Sequence, residues 1–277
     1  MRNKKESIAL IKLIAIDMDG TLLNNAHQIT TTVRKAIFDA IESGVKIVLC
    51  TGRPVKAVFP YIEQLDLPHD EDYVISLNGT MVQKTHNAEI VYSHKLAHAE
   101  LSKIESIRKD YNINLTFFDE SHYFYTGEKT ERLLFDATIL GMEPIHLPIS
   151  DIPKEMNIYK AMFVGEPEEL DRFVQDVPAE LYQTFYPIRS LPYVFEVLPK
   201  KANKGDALIG LANLLAIPMS EVMAIGDGEN DIDLMNVVVE SVAMGNATET
   251  IKAAAKYETK TNEEDGVAHA IYKWALN

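Results

Sequence analysis

Two aspartates, Asp17 and Asp19, stand with one residue between them at the end of an apolar run, Ile11 to Ile16, that only Lys12 interrupts; Gly20 and Thr21 follow at once. Far along the chain a second apolar run, VMAIG, ends the same way, in Asp227 and then Asp231. In open parallel sheets, ligands bind beyond the carboxyl ends of the strands. Two such strands turn four carboxylates toward one crevice. Like charges ~4 Å apart repel by several kcal/mol even at an effective dielectric near 20, so the group needs a counter-charge. A hard divalent cation supplies it, since Mg²⁺ takes one or two carboxylates, keeps waters and binds phosphate oxygens. The chemistry this suits is phosphoryl transfer, with a carboxylate nucleophile beside a metal. Other strand ends add polar groups: Thr51 and Gly52 after VKIVLC, Asn78 and Gly79 after YVISL. Lys204 opens a helical stretch, where a cation opposes the macrodipole, a slightly unfavourable placement that an anion nearby would offset.

The elements that must position these residues are legible as an alternation. TTTVRKAIFDAIESG carries apolar residues at Val33, Ala36, Ile37, Ala40 and Ile41, with threonines before it and Gly44 after it. That is an amphipathic helix with its caps. VKIVLC and YVISLN are short β-branched runs, hence buried strands, and Pro54 suits the first turn of the helix after Thr51. Buried strands alternating with helices imply a parallel sheet covered on both faces. From about Thr80 the rhythm changes. INLTFF, YKAMFV and YVFEVL read as strands, helical stretches fall near 128–140 and 166–176, and aromatics cluster, among them Phe117, Phe118, Tyr123, Phe124 and Phe195. These aromatics read as core. From Asn203 the α/β rhythm returns: NKGDALIGLANLLA a helix, VMAIGD a strand, SVAMG a strand, ATETIKAAAKY a helix, and DGVAHAIYKWAL a last helix. The organisation is an α/β core over 1–82 and 199–277, with an inserted α+β unit over 83–198.

The totals bound the function. A chain of 277 residues with 47% apolar residues and a formal charge of -14 builds a substantial core. It lacks the general basic face that a nucleic acid or an anionic membrane surface would need. One cysteine, Cys50, forbids an internal disulfide and fits a reducing compartment. The N-terminal MRNKKESIALIKLIAI is interrupted by Lys12, ended by Asp17 and followed by no small-residue cleavage site, so it reads as a short solvated tail and a first strand rather than a secretion signal. The expectation is a cytoplasmic protein with no membrane and no nucleic-acid partner, a monomer or weak homo-oligomer.

Four segments in this order resemble the haloacid dehalogenase-like superfamily. Its DxDGT motif matches Asp17-Met18-Asp19-Gly20-Thr21, its Thr after a strand matches Thr51, its Lys at a helix start matches Lys204, and its GDxxND matches Gly226 to Asp231. The insertion after SLNGT is similar in position and size to the large cap of the Cof-type sugar-phosphatase branch. The resemblance implies a Rossmann-like parallel core with a C2-type cap and a Mg²⁺-dependent phosphatase acting on a small phosphorylated metabolite. It further implies that Asp17 attacks phosphorus and that Asp19 serves as acid and then base. Asp17, the carbonyl of Asp19, and Asp227 would hold Mg²⁺, supported by Asp231. Thr51, the backbones of Met18 and Gly52, Asn230 and Lys204 would hold phosphoryl oxygens, with Asn78 beside the substrate. Ligation through the Asp19 carbonyl leaves its side chain available as an acid.

Plainer readings stand beside these. Asp19-Gly20 is also a favoured turn pair, Asp227 and Asp231 also suit a helix N-terminus, and Thr51 also suits a cap. Arg53 is open between a phosphate contact and a solvated role. Two other functions use the same aspartate: a phospho-accepting signalling protein and a phosphomutase.

Overall fold

The computed structural model describes residues 10–67, 69–108 and 110–276; residues 1–9, where the short N-terminal tail is expected, lie outside the described residues. The chain forms two compact units, one of Met1–Cys50 with Leu208–Asn277, the other of Thr51–Ala207.

The first unit holds a parallel sheet in the order Tyr257–Glu258, Glu240–Ala243, Val222–Gly226, Leu13–Asp17, Lys46–Cys50. The central strands are buried along their length, including Leu13 to Ile16 and Val222 to Ile225. That is why they read as continuous apolar runs rather than alternating ones. Helix Thr31–Glu42 presents Val33, Ala36, Ile37 and Ala40 to the interior, and the Thr30 hydroxyl caps it by accepting from the Val33 N–H at 3.1 Å. Gly44 follows with φ +83°, as expected of a residue that ends a helix in the left-handed region. The stretch ATETIKAAAKY is helical only over Glu249–Ala254, since Ala255 is extended. The last helix is α-helical over Gly266–Ala270 and widens to a π turn over Ile271–Ala275.

The second unit holds an antiparallel trio, Tyr73–Ser76, Met81–Lys84 and Ile90–Ser93. It also holds a six-stranded sheet in the order Phe185–Leu191, Val194–Pro199, Lys160–Val164, Asn114–Phe118, Tyr123–Tyr125, Pro144–His146. The helical stretches near 128–140 and 166–176 are Glu131–Leu140 and Pro167–Asp176. The aromatics are mostly core: Phe117, Phe124, Phe163, Phe173, Phe185 and Phe195 share one apolar cluster, and Phe118, Tyr123 and Tyr125 another. Tyr182 is an exception at 45% exposed. The strand expected over 73–78 stops at Ser76. Leu77 and Asn78 take left-handed backbone angles, φ 50° and 55°, because their N–H groups are drawn onto the carbonyls of Arg53 (3.1 Å) and Thr51 (2.9 Å). A branched apolar residue in that region carries strain of about 1–3 kcal/mol, so the turn is held by its surroundings rather than chosen by its sequence.

Candidate active site

In the first unit the parallel register decides the geometry. Ile16 pairs with Ile225; one step further, Asp17 ends its strand beside Gly226, and Asp227 follows. One carboxylate oxygen from each of Asp17, Asp227 and Asp231 lies within 4.8 Å of the others. Asp17 and Asp231 are buried. Repulsion among three such charges at this spacing favours a cation between them, and an all-oxygen donor set suits a hard one such as Mg²⁺. The Asp19 carboxylate is not part of the group: its side chain is 47% exposed, with His27 Nδ1 3.6 Å away.

The acids are held by their own loops. Asp231 Oδ2 accepts from the backbone N–H groups of Asp227 (3.0 Å) and Gly228 (3.1 Å), which fixes the turn that presents Asp227. Asn230 stands in that same turn. The Thr21 hydroxyl donates to Asp227 Oδ1 at 2.7 Å. Gly20 has φ +86°, and a Cβ there would lie 2.9 Å from the Asp227 Cγ, so both its conformation and its closeness to the acid demand glycine. Met18 is fully buried, and its carbonyl accepts from Leu23 at 2.9 Å. Asn246 is a participant that the motifs did not reveal. Its Nδ2 donates to the Gly20 carbonyl at 2.8 Å and approaches Asp227 Oδ2 at 3.5 Å. The available signal was its place just past the strand Glu240–Ala243, at the same carboxyl edge of the sheet.

In the second unit Thr51, Gly52 and Asn78 come together. Thr51 is buried, takes a hydrogen bond from the Arg53 N–H onto its hydroxyl at 3.1 Å, and sends its own N–H to the Ile75 carbonyl at 2.8 Å. A Cβ on Gly52 would sit 3.1 Å from both polar atoms of the Asn78 amide. Gly79, φ +89°, packs so tightly on the Asn203 backbone that any side chain would overlap it. Asn203 caps the helix Lys204–Leu214 by accepting from the Asp206 N–H at 2.7 Å, and Lys204, at its first turn, is fully buried. Thr51, Asn78 and Lys204 are therefore drawn into one neighbourhood through Gly79. Arg53 is partly buried, its guanidinium 5.6 Å from the centre of the Tyr61 ring. Two further residues went unnoticed in the sequence. Lys160 and Glu196, single charges inside the apolar strands YKAMFV and YVFEVL, form a buried ion pair at 2.9 Å.

The chain matches the haloacid dehalogenase-like hydrolase family over residues 14–271. It is 39% identical over 268 residues to the Bacillus subtilis protein YxeH, spanning 96% of this chain and 99% of that protein. It is 33% identical over 269 residues to the Bacillus subtilis 5-amino-6-(5-phospho-D-ribitylamino)uracil phosphatase YcsE, spanning 96% of each. A solved haloacid dehalogenase-like hydrolase from Bacteroides thetaiotaomicron superposes with a TM-score of 0.83 at 28% identity, covering 95% of this chain and 99% of that one.

Proposed function

The chain belongs to the haloacid dehalogenase-like hydrolases, and from that premise we propose that it is a Mg²⁺-dependent phosphatase of small phosphorylated metabolites, sugar phosphates or similar, working through an aspartyl-phosphate on Asp17. Hydrolysis of phosphate esters accords with the family and with the activity in the name of its relative YcsE. The observation that carries the reading is the convergence of Asp17, Asp227 and Asp231 at the carboxyl ends of neighbouring parallel strands.

In the proposed sequence a carboxylate oxygen of Asp17 attacks phosphorus and the bond to the leaving alkoxide breaks. Asp19, solvent-accessible and outside the acidic trio, protonates that alkoxide. It then takes a proton from water, which attacks the aspartyl-phosphate, breaks its P–O bond to Asp17 and releases inorganic phosphate. Asp17, Asp227 and the Asp19 carbonyl would hold Mg²⁺, with Asp231 fixing the Asp227 turn. When bound, the cation neutralises the acids and the phosphate charge. Thr51, the Met18 and Gly52 backbones, Asn230 and Lys204 would steady the phosphoryl oxygens, with Asn78 beside them. Residues 83–198 would act as the lid that selects the leaving group and excludes water.

Release of inorganic phosphate from p-nitrophenyl phosphate and from a panel of phosphorylated metabolites, with Mg²⁺, tests this. Asp17→Asn is expected to abolish turnover, and Asp19→Ala to slow it by about 10²–10⁴. Trapped phosphate on any residue but Asp17, or full activity in Asp17→Asn, overturns it. Stable phosphorylation without release would point to signalling, and return of the phosphoryl group to product would point to a mutase.

A further inference from the structure

Lys160 and Glu196 lie on neighbouring strands of the six-stranded sheet, and each is 3% exposed. Removing two charges from water is costly, and apolar residues of similar volume commonly serve stability as well or better. The partners of this pair indicate what it does. Glu196 Oε1 accepts from the Ser190 hydroxyl at 2.7 Å, and Oε2 accepts from Asn78 Nδ2 at 2.7 Å and from Lys160 Nζ at 2.9 Å. A carboxylate engaged by three donors is suited to holding its neighbours in place rather than to receiving a ligand. Lys160 Nζ also donates to the Gly52 carbonyl at 3.4 Å.

The peptide between Gly52 and Arg53 is thus gripped at both ends. Its carbonyl faces the Lys160 ammonium, and its N–H donates to the Thr51 hydroxyl oxygen. That contact fixes where the Thr51 oxygen stands and occupies one of its two lone pairs, leaving its own proton available for a phosphoryl oxygen. Glu196 sets the other wall: with Nδ2 committed to Glu196, the rotation of the Asn78 amide against Gly52 is fixed.

We propose that Lys160 and Glu196 are positioning residues for the phosphoryl-binding group, acting through the Gly52–Arg53 peptide and the Asn78 amide to orient the donors of Thr51 and Gly52. This rests on the phosphatase reading above. It goes beyond that reading by assigning a catalytic consequence to an ion pair in the sheet thought to select the leaving group.

A device that orients phosphoryl donors acts on every substrate alike, whereas one that reads the leaving group acts on some. The test compares wild type, Lys160→Met and Glu196→Gln on p-nitrophenyl phosphate and on a hexose 6-phosphate, with inhibition by orthovanadate and the ¹⁵N–¹H resonance of Arg53 as further readouts. Lys160→Met is expected to lower kcat by about ten- to a hundredfold on both substrates, the loss typical of a small misplacement, with KM changing less than kcat. Weaker orthovanadate inhibition and a shifted Arg53 amide should accompany it. Glu196→Gln keeps the shape, removes the charge and turns one acceptor oxygen into an NH₂ donor, and is expected to show the same pattern at smaller size; it carries the test should Lys160→Met fail to fold. A loss confined to the hexose phosphate, or unchanged kcat and orthovanadate inhibition in folded variants, overturns the inference. Wild type inactive on these two and on the wider panel of phosphorylated metabolites, or Asp17→Asn active on any of them, overturns the phosphatase reading instead.

Discussion

Two acids two residues apart come to different environments. Asp17 is the last residue of a strand and is 5% exposed, while Asp19 has passed the strand end and holds a side chain 47% exposed. A third acid shows what burial does where no metal is at issue. Asp136 is buried on the helix Glu131–Leu140, and desolvation pushes its carboxyl up to about 6, against the opposing hydrogen bond from the Tyr123 hydroxyl at 2.7 Å. With the native value above the unfolded 3.8, the folded state holds the extra proton between about pH 4 and pH 6. Stability therefore falls as pH rises through that window, and the full penalty, about 3 kcal/mol as an upper bound, stands above it. Asp136→Asn keeps an acceptor for Tyr123 and removes the charge. It is expected to stabilise the protein by about 1–3 kcal/mol at pH 7.5 and by little at pH 4. Urea unfolding at both pH values checks this, and an equal gain at both would rule out the titration as the cause.

At the scale of elements, what was legible is what local chemistry controls. The threonines before Val33 predict a helix start, and Thr30 is the cap, its hydroxyl also donating to Asp265 Oδ1 at 2.5 Å. Thr30→Ala is expected to cost about 1–2 kcal/mol and Thr30→Ser only a few tenths; thermal unfolding of the two variants compares them, and a similar loss in both would mean that the methyl matters rather than the hydroxyl. What was not legible depends on partners distant in sequence. Asn78-Gly79 is a turn pair that tolerates a left-handed Asn, but nothing in SLNG announces that Leu77 turns left-handed as well, because the carbonyl that draws it there belongs to Arg53. Lys160 and Glu196 look like ordinary solvated strand residues until the register sets them on adjacent strands. The acidic trio was foreseeable because parallel strands that end in acids share a carboxyl edge. Asn246 shares that edge as well, but a lone Asn after a strand is too common a turn residue to single out.

At the scale of the whole molecule, the formal charge of -14 and the three acids of the site create two separate demands for cations, and they respond differently to salt. Diffuse surface repulsion is screened by any electrolyte, with a Debye length of about 8 Å near 0.15 M. A trio of oxygens within 4.8 Å discriminates instead by charge density and coordination, which favours Mg²⁺ over Na⁺. A cation bound only by the folded protein stabilises by about 2.7 kcal/mol at a hundred times its Kd, which is roughly 5 °C in Tm for a chain of this size. Calorimetry is therefore expected to show Tm rising by about that much from EDTA to millimolar MgCl₂, while NaCl at matched ionic strength gives a smaller, unsaturating rise. Asp227→Asn removes one ligand charge without touching the surface field, so it should erase the Mg²⁺-specific part and leave the NaCl response intact. If Mg²⁺ and NaCl act alike in the wild-type protein, or if Asp227→Asn keeps the full Mg²⁺ response, the trio is not where the cation binds.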